Sequence, residues 1–397
     1  MPGVRLPPSL RGLPQETWVL ALVAFCVALG FGIVVPAVPL FALQFGVGTT
    51  AAGAVVSAFA LMRLVSGLAA GRFVDRVGER LALQTGLGVV AVSSLLAGLA
   101  VSYPQLLVLR GLGGVGSAVF TISGTSLLLR VASAAQRGRT QSIYRGGFLV
   151  GGIVGPAFGG AVIGFSIRAP FFLYAGTLLL AMLAAARLPK PPPKTEGAPA
   201  QPEARTSLRD ALATPAYRAA LAGNFAIGFS LFGVRSTLVP LLVVQGLGLG
   251  PGWVGIAFTV GALVQTALLL PAGRAVDDVG RRPTMVVGGV VTGAALAALA
   301  LATGPVSLLL CMVLLAAGGA LLGVAPAAVV GDVVQGRGGT AIAVWQMASD
   351  LGAVIGPVAA GLLVDRGSFD LALVACAAVV GWCGLLGLRV PPGRPER

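Results

Sequence analysis

The sequence contains no histidine, and only 13 of its 397 residues are acidic. Charged residues of both signs amount to 10% of the chain, whereas hydrophobic residues reach 56% and the mean hydropathy is +0.95. A water-soluble domain could not cover so much apolar surface, so a soluble fold is excluded. The four cysteines form no CxxC pair, and without histidine they offer no set of metal ligands, so no metal site is expected.

Long runs of Ala, Leu, Val and Gly make up most of the chain. A helix that crosses the hydrocarbon core needs roughly 20 apolar residues, and lipid offers no water to unpaired backbone groups. The runs lack the period-two alternation of a barrel strand, so an all-α membrane protein with twelve transmembrane helices is predicted. The expected spans are 18–43, 51–70, 82–102, 105–129, 141–164, 169–187, 219–244, 253–272, 284–303, 306–330, 340–363 and 369–388.

The formal net charge is +14, and the basic residues lie mostly at span ends that face one side. If the N-terminus lies inside, only Arg168 and Arg366 fall in outward segments. Basic loops stay in the cytoplasm, so both termini are predicted to be cytoplasmic and the charge reflects topology rather than nucleic-acid binding. The preference for Arg over Lys and the richness in Ala, Gly and Val favour a bacterial inner (plasma) membrane protein.

Two motifs occur twice, on either side of a polar, Pro-rich segment. The sequence GRFVDRVGER at 71–80 returns as GRAVDDVGRR at 273–282, and the Gly-Pro pattern at 151–160 returns at 352–361. The two repeats have offsets that agree within one residue, which indicates a duplicated architecture. We therefore predict two pseudo-symmetric six-helix bundles, with an N-terminal bundle at 1–187, a cytoplasmic linker at 188–218 and a C-terminal bundle at 219–397.

These motifs resemble those of the major facilitator superfamily over nearly the whole chain. The 71–80 motif resembles the loop signature of that superfamily, and Arg110 with the small residues after it resembles its R-x-x-x-G-x-G-x-A motif. The 151–160 pattern is similar to the motif of its proton-driven antiporters, especially the drug:proton families. The loop motif shows two departures: Glu79 stands where the first copy usually carries Arg, and Asp278 replaces Arg in the second copy.

The resemblance implies that the repeated loop motif is a latch for one conformation. Its glycines permit a tight turn, and its carboxylate can accept hydrogen bonds from a neighbouring helix N-terminus. Alternatively, the charges of this motif only enforce topology. The latch residues are Gly71, Asp75, Arg76, Gly78 and Arg80 in the first copy and Asp277, Gly280 and Arg281 in the second.

The Gly-Pro motif removes side chains from one helix face and deletes a backbone donor. The resemblance links it to export and to sealing against leak. Because the chain holds 59 glycines, ordinary helix packing is the alternative. The motif residues are Gly151, Gly155, Pro156, Gly159 and Gly160, together with Gly356 and Pro357.

Five charged residues fall inside the predicted spans: Arg63, Arg110, Arg145, Arg235 and Asp350. A charge at the bilayer centre costs at least about 2.5 kcal/mol on insertion scales, so each is a candidate functional residue. Asp350 is the acid placed deepest, which makes it the leading proton carrier. Arg63 lies at a matching depth, and an arginine that moved could change whether Asp350 carries a proton. A static ion pair that holds the two halves together is the alternative.

Arg110 could assist proton coupling, as the resemblance implies, or could pair with backbone carbonyls. Arg145, its neighbour Tyr144, and Arg235 are candidates for substrate binding, since either arginine could attract an anionic group. The aromatic residues of the spans are interpreted as packing rather than binding residues. These are Phe31, Phe41, Phe225, Phe229 and Phe232.

The expected activity is secondary active transport, with proton-coupled efflux of small hydrophobic or amphipathic compounds by alternating access. The expected partners are a small-molecule substrate, protons and the lipid bilayer, with the proton gradient in place of any cofactor and a monomeric state. Transport of a sugar, amino acid or organic anion is the first alternative, and a non-transporting sensor or scaffold is the second. An enzyme is not expected, because the sequence has no histidine, no paired intramembrane carboxylates and no nucleophile-base pair. ATP drive is not expected either, because no segment resembles a P-loop.

Overall fold

The computed structural model describes residues 14–131, 136–188, 207–334 and 339–392. These residues form twelve helices that are long and apolar enough to cross a membrane, which confirms the predicted fold class. They are α1 (Gln15–Leu43), α2 (Thr49–Val77), α3 (Glu79–Gly98), α4 (Tyr103–Leu128), α5 (Gly138–Ile163), α6 (Ala169–Ala186), α7 (Pro215–Gly246), α8 (Gly252–Asp278), α9 (Arg281–Leu299), α10 (Pro305–Val333), α11 (Thr340–Arg366) and α12 (Phe369–Arg389).

Four glycines with left-handed φ mark the tightest turns among the described residues. Gly46 and Gly248 have φ of 73° and 62°, and they lie between α1 and α2 and between α7 and α8. Gly78 and Gly280 have φ of 84° and 107°, and they follow α2 and α8. Each pair occupies equivalent positions in the two halves. The side with Gly78, Gly280 and the start of α7 is called the linker side, and the opposite one the far side.

The prediction of a loop over 71–80 was wrong. α2 continues to Val77 and α8 to Asp278, so Gly71 lies within a helix and does not form the turn. The span prediction stopped at the last apolar residue, but helical hydrogen bonding continues past the hydrocarbon until the glycine at the C-terminal boundary takes a left-handed φ.

The predicted linker at 188–218 lies mostly outside the described residues. Within it, Leu208–Ala213 forms a short helix whose first turn is capped by the Ser207 hydroxyl, which accepts from the Asp210 N–H at 3.2 Å. The helix α7 begins earlier than expected, at Pro215, which fits the first turn because proline has no N–H to leave unpaired. Several basic residues used for the orientation also lie outside the described residues: Arg5, Arg11, Lys190, Lys194, Arg205, Arg337, Arg394 and Arg397.

Each half is built around its own apolar core. In the first half, Phe41 of α1 and Phe171 of α6 are fully buried, with ring centroids 5.3 Å apart. In the second half, Tyr217 of α7 is fully buried and donates its hydroxyl to the Ala341 carbonyl of α11 at 2.6 Å. The two cores are largely separate, which matches two bundles that can move relative to each other.

An ion pair joins the third and fourth helices on the linker side of the first half, and its counterpart occurs in the second. Arg130 donates to Glu79 at 2.6 Å, with side chains 20% and 10% exposed. At the equivalent positions of the second half, Arg281 Nε lies 2.5 Å from Asp332. The pair is therefore duplicated with its charges exchanged. Glu79, one of the two departures from the family motif, is thus the ion-pair partner of Arg130.

We expect Glu79→Arg to destabilise the first bundle, because it places two guanidinium groups together in a half-buried site. The cost is about 2 kcal/mol. The double variant Glu79→Arg with Arg130→Glu restores the pair and recovers most of the loss. Its recovery stays incomplete, because each charge then opposes its helix dipole by about 0.3–1 kcal/mol. Thermal melting of the purified protein measures both effects.

The control for this pair is Asp278→Arg, an equal charge reversal at an exposed position on the same side. It should change the melting temperature little. If the double variant were as unstable as Glu79→Arg alone, the ion pair would not be the interaction that matters there.

Candidate functional site

A cavity of about 130 Å³ lies between the two halves at mid-depth. Helices α1, α2 and α4 form one wall, and α7 and α11 form the other. The residues that give it its chemistry are Phe31, Phe59, Arg63 and Arg110 from the first half and Phe232, Ser236, Ser349 and Asp350 from the second. An apolar aromatic surface with a few polar groups is typical of a small-molecule site.

An ion pair crosses this cavity from one half to the other. Arg63 of α2 donates through Nη2 to Asp350 Oδ1 of α11, and the two side chains are 41% and 19% exposed. The structure thus brings together the two residues whose depths in the sequence match. Asp350 is the one acid among the described residues that line the cavity. Its proton-coupling role stays a prediction.

Arg110 is the second cation of the cavity wall and is 4% exposed. Its guanidinium carbon lies 4.8 Å from the centre of the Phe59 ring, a cation–π contact. Gly114 makes this approach possible, since a Cβ there would lie 2.2 Å from the Phe59 carbonyl oxygen. Arg110 Nε has no hydrogen-bond partner among the described residues. The backbone-carbonyl pairing considered for Arg110 is not among its described contacts, and its proton-coupling role stays a prediction.

The α2–α11 seam continues from this ion pair to the far side. The Ser57 hydroxyl donates to the Val354 carbonyl at 2.6 Å. At the far end, Asp365 accepts from the N–H groups of Thr49 and Thr50, each at 2.8 Å, and from the Thr50 hydroxyl at 2.6 Å. Asp365 was missed in the sequence analysis because it lies at a span end. The sequence feature that could have pointed to Asp365 is the start of α2, which has no capping side chain of its own and lies on the same side as this acid.

Glycines bring the backbones of the two halves into contact at two equivalent places. A Cβ at Gly160 of α5 would lie 2.4 Å from the Gly255 Cα of α8. At the other seam, a Cβ at Gly53 of α2 would lie 2.3 Å from the Pro357 carbonyl oxygen of α11. Gly53 and Gly255 were missed, although they stand at equivalent positions of the two halves. The antiporter motif therefore forms part of the contact between halves.

The remaining glycines of that motif pack within one half. A Cβ at Gly151, Gly155 or Gly159 would lie 2.5, 2.5 and 2.7 Å from carbonyl oxygens of α1. In the second half, a Cβ at Gly352 or Gly356 would lie 2.3 and 2.8 Å from those of α7. The close helix approach expected of these positions is present. Their role in sealing against leak stays a prediction.

The latch residues lie at the linker side, away from the cavity lining. Asp75, Arg76 and Asp277 are exposed near the ends of α2 and α8. Arg80 donates to the Ala186 carbonyl of α6 at 2.5 Å, and Arg281 is in the ion pair with Asp332 described above. These described bonds lie within one half, and a latch function for the motif stays a prediction.

The three substrate-binding candidates lie outside the described cavity lining. Tyr144 is buried against Phe148, with ring centroids 5.2 Å apart, and Arg145 is exposed. Arg235 lies over the Phe258 ring at 5.2 Å. Their role in substrate binding stays a prediction, because none of the three is among the residues that line the cavity.

Two of the five phenylalanines interpreted as packing residues line the cavity instead. Phe31 of α1 and Phe232 of α7 line it from the two halves, and Phe59, which sequence reasoning missed, completes the aromatic surface. Phe41 and Phe229 are core residues, as expected. Periodicity could not separate the two groups, because apolar residues surround both in the sequence.

Twelve spanning helices in two halves, with a cavity and an ion pair between them, define a transporter of the alternating-access type. The sequence pattern of the Major Facilitator Superfamily matches residues 20–250 and 220–397. The chain belongs to this superfamily and is a multi-pass membrane transporter, not an enzyme.

The chain is similar to named bacterial relatives. It is 26% identical over 362 residues to Multidrug resistance protein 2 of Bacillus subtilis (strain 168), across 88% of this chain and 90% of the relative. It is 28% identical over 258 residues to Quinolone resistance protein NorA of Staphylococcus aureus (strain MRSA252), across 63% of this chain and 64% of NorA.

Two solved structures share the fold. A mutant of the peptide transporter POT superposes with a TM-score of 0.80 at 14% identity, covering 96% of this chain and 95% of that one. A bacterial homologue of the human lysosomal transporter Spinster, in an inward-facing and occupied conformation, gives 0.75 at 17% identity, covering 94% and 95%.

We expect Gly160→Val to prevent closure of the far side, because its side chain would meet the α8 backbone at Gly255. Transport should fall at least about tenfold, since a clash with backbone is not relieved by a rotamer change. The matched control is Gly152→Val on the same helix, where a Cβ has open space. Equal losses in both variants at equal membrane abundance would contradict this role.

Proposed function

We propose that the protein exports small hydrophobic or amphipathic compounds in exchange for protons. The observation that carries this proposal is the Arg63–Asp350 ion pair, which joins the two halves inside the cavity. The names of the relatives, a multidrug resistance protein and a quinolone resistance protein, support a drug-like substrate. The aromatic wall formed by Phe31, Phe59 and Phe232 suits a flat apolar compound.

Proton binding at Asp350 supplies a physical route to coupling. The ion pair needs an ionised carboxylate, so a proton on Asp350 removes the attraction between α2 and α11 at mid-depth. It also leaves Arg63 and Arg110 as two uncompensated cations in the cavity wall. A compound that carries positive charge would then bind less well, since like charges repel strongly where water is scarce. Proton and substrate thus compete, as antiport requires.

The described seams between halves extend from mid-depth to the far side, through Ser57, Gly53 and Asp365 on one seam and Gly160 on the other. This arrangement corresponds to a state closed on the far side. We place the linker side in the cytoplasm of a bacterial plasma membrane, as the basic residues predict. In that orientation, this state would accept a compound from the cytoplasm, after Asp350 has released its proton.

The proposed transporter works as a monomer, because the cavity is formed within one chain. Its proposed driving force is the proton gradient, and it uses no cofactor. Transport of a sugar, amino acid or organic anion has less support. Eight of the thirteen lining residues are apolar, whereas a sugar site would need mostly hydrogen-bonding groups.

Purified protein in vesicles with an imposed pH gradient tests the proposal. Each compound of a fluorescent panel, covering cationic, neutral and anionic amphipaths, is added in turn while internal pH and accumulation are followed. We expect proton movement only in the presence of a transported amphipath. Gradient-independent accumulation of all compounds, or no proton movement with any amphipath, would contradict proton-coupled drug export.

Asp350→Asn should abolish gradient-driven accumulation, so that the ratio of inside to outside concentration falls to about one, because the amide cannot cycle a proton. Downhill exchange of the same compound should persist. Asp370→Asn, an exposed acid at the start of α12, is the control and should keep accumulation. Loss of accumulation and exchange together in Asp350→Asn would instead indicate that the ion pair is structural.

A further inference from the structure

We propose that Asp365 is a positioning residue of the transport cycle that holds the far side closed by capping α2 across the boundary between halves. The group of Asp365, Thr49 and Thr50 is called the far-side clasp. The proposal rests on the alternating access of the proposed function, but on no particular substrate. No motif of the sequence analysis includes these residues.

The clasp uses both oxygens of one carboxylate. Asp365 Oδ1 accepts from the Thr49 N–H, and Oδ2 accepts from the Thr50 N–H and hydroxyl, at 2.8, 2.8 and 2.6 Å. The first N–H groups of a helix have no partner within the helix and carry partial positive charge. A carboxylate therefore matches this end of α2 in both geometry and charge.

The sequence of α2 supplies no cap of its own. The residue before Thr49 is Gly48, which has no side chain to accept a hydrogen bond from the first turn. A Cβ at Gly48 would lie 2.9 Å from Asp365 Oδ2, so the glycine also leaves the space into which the carboxylate fits. The start of α2 thus depends on the opposite half for its cap.

The clasp can form only while the far side is closed, because its donors and acceptor belong to different halves. Separation of α2 and α11 by a few ångströms breaks all three hydrogen bonds, which weaken steeply with distance. Asp365 and Thr50 lie at the exposed edge of the seam, so water replaces the lost partners on opening. The clasp therefore biases the equilibrium modestly, as a reversible cycle requires.

The clasp does not come from the duplication. At the other seam, the positions of α5 equivalent to Asp365 are Ile163 and Gly164, neither of which can accept through a side chain. That seam closes through Gly160 and Gly255. Helix α11 thus carries both the cavity acid Asp350 and the clasp acid Asp365. Because one helix holds both acids, loosening of the α2–α11 seam at one end also moves the contacts at its other end.

The test measures far-side distances in the full chain, purified in lipid nanodiscs. Spin labels are placed at the exposed residues Ser102 and Thr303, in far-side loops of the two halves. We expect Asp365→Ala to raise the ratio of far-side-open to far-side-closed molecules about tenfold, the size of one lost helix cap. Asp370→Ala, an exposed far-side acid outside the clasp, should leave the distances unchanged.

Thr50→Val removes one of the three hydrogen bonds and should shift the same ratio in the same direction by a smaller factor. If the melting temperature of Asp365→Ala shows that this variant does not fold, Thr50→Val takes its place as the test variant. Folded Asp365→Ala or Thr50→Val protein with wild-type distances would overturn the clasp, whatever the transport assay shows. A shift in distance without proton-driven transport would support the clasp and contradict proton-coupled export.

Discussion

At two equivalent places, the two halves of this transporter approach so closely that backbone lies against backbone. A Cβ at Gly53 or Gly160 would collide with main-chain atoms of the opposite half. Lipid is as apolar as a leucine side chain, so helices in a membrane gain little from hydrophobic burial and associate through close packing and hydrogen bonds. The contacts of α2 with α11 and of α5 with α8 therefore determine how close the halves come. They also place Arg63 within reach of Asp350.

The charges inside the membrane follow from that geometry. Arg63 and Asp350 neutralise each other, whereas Arg110 rests on the face of Phe59 beside the same cavity. A single acid among the lining residues means that one protonation changes both the contact between halves and the charge that a substrate meets. In the proposed mechanism, coupling needs no separate relay, because the same carboxylate takes part in both interactions.

The duplication preserved backbone positions more strictly than charges. Gly78 and Gly280 end equivalent helices with the same left-handed turn, since no other residue adopts that φ as easily. Glu79 with Arg130 in the first half corresponds to Arg281 with Asp332 in the second, since an ion pair forms whichever partner carries the negative charge. Asp365 has no counterpart at all. The two seams between halves thus differ in side-chain chemistry while sharing one backbone arrangement.

The sequence was enough to predict the twelve helices, their grouping into two halves and the matching depths of Arg63 and Asp350. Helices follow from the need to satisfy backbone groups in lipid, and matched depths follow from counting residues along two helices. Three features became visible only once the helices were packed: α2 runs on to Val77, Phe31 and Phe232 line the cavity, and Asp365 caps α2. The direction of a side chain and the neighbour it meets depend on helix rotation and packing, which an almost uniformly apolar sequence does not encode locally.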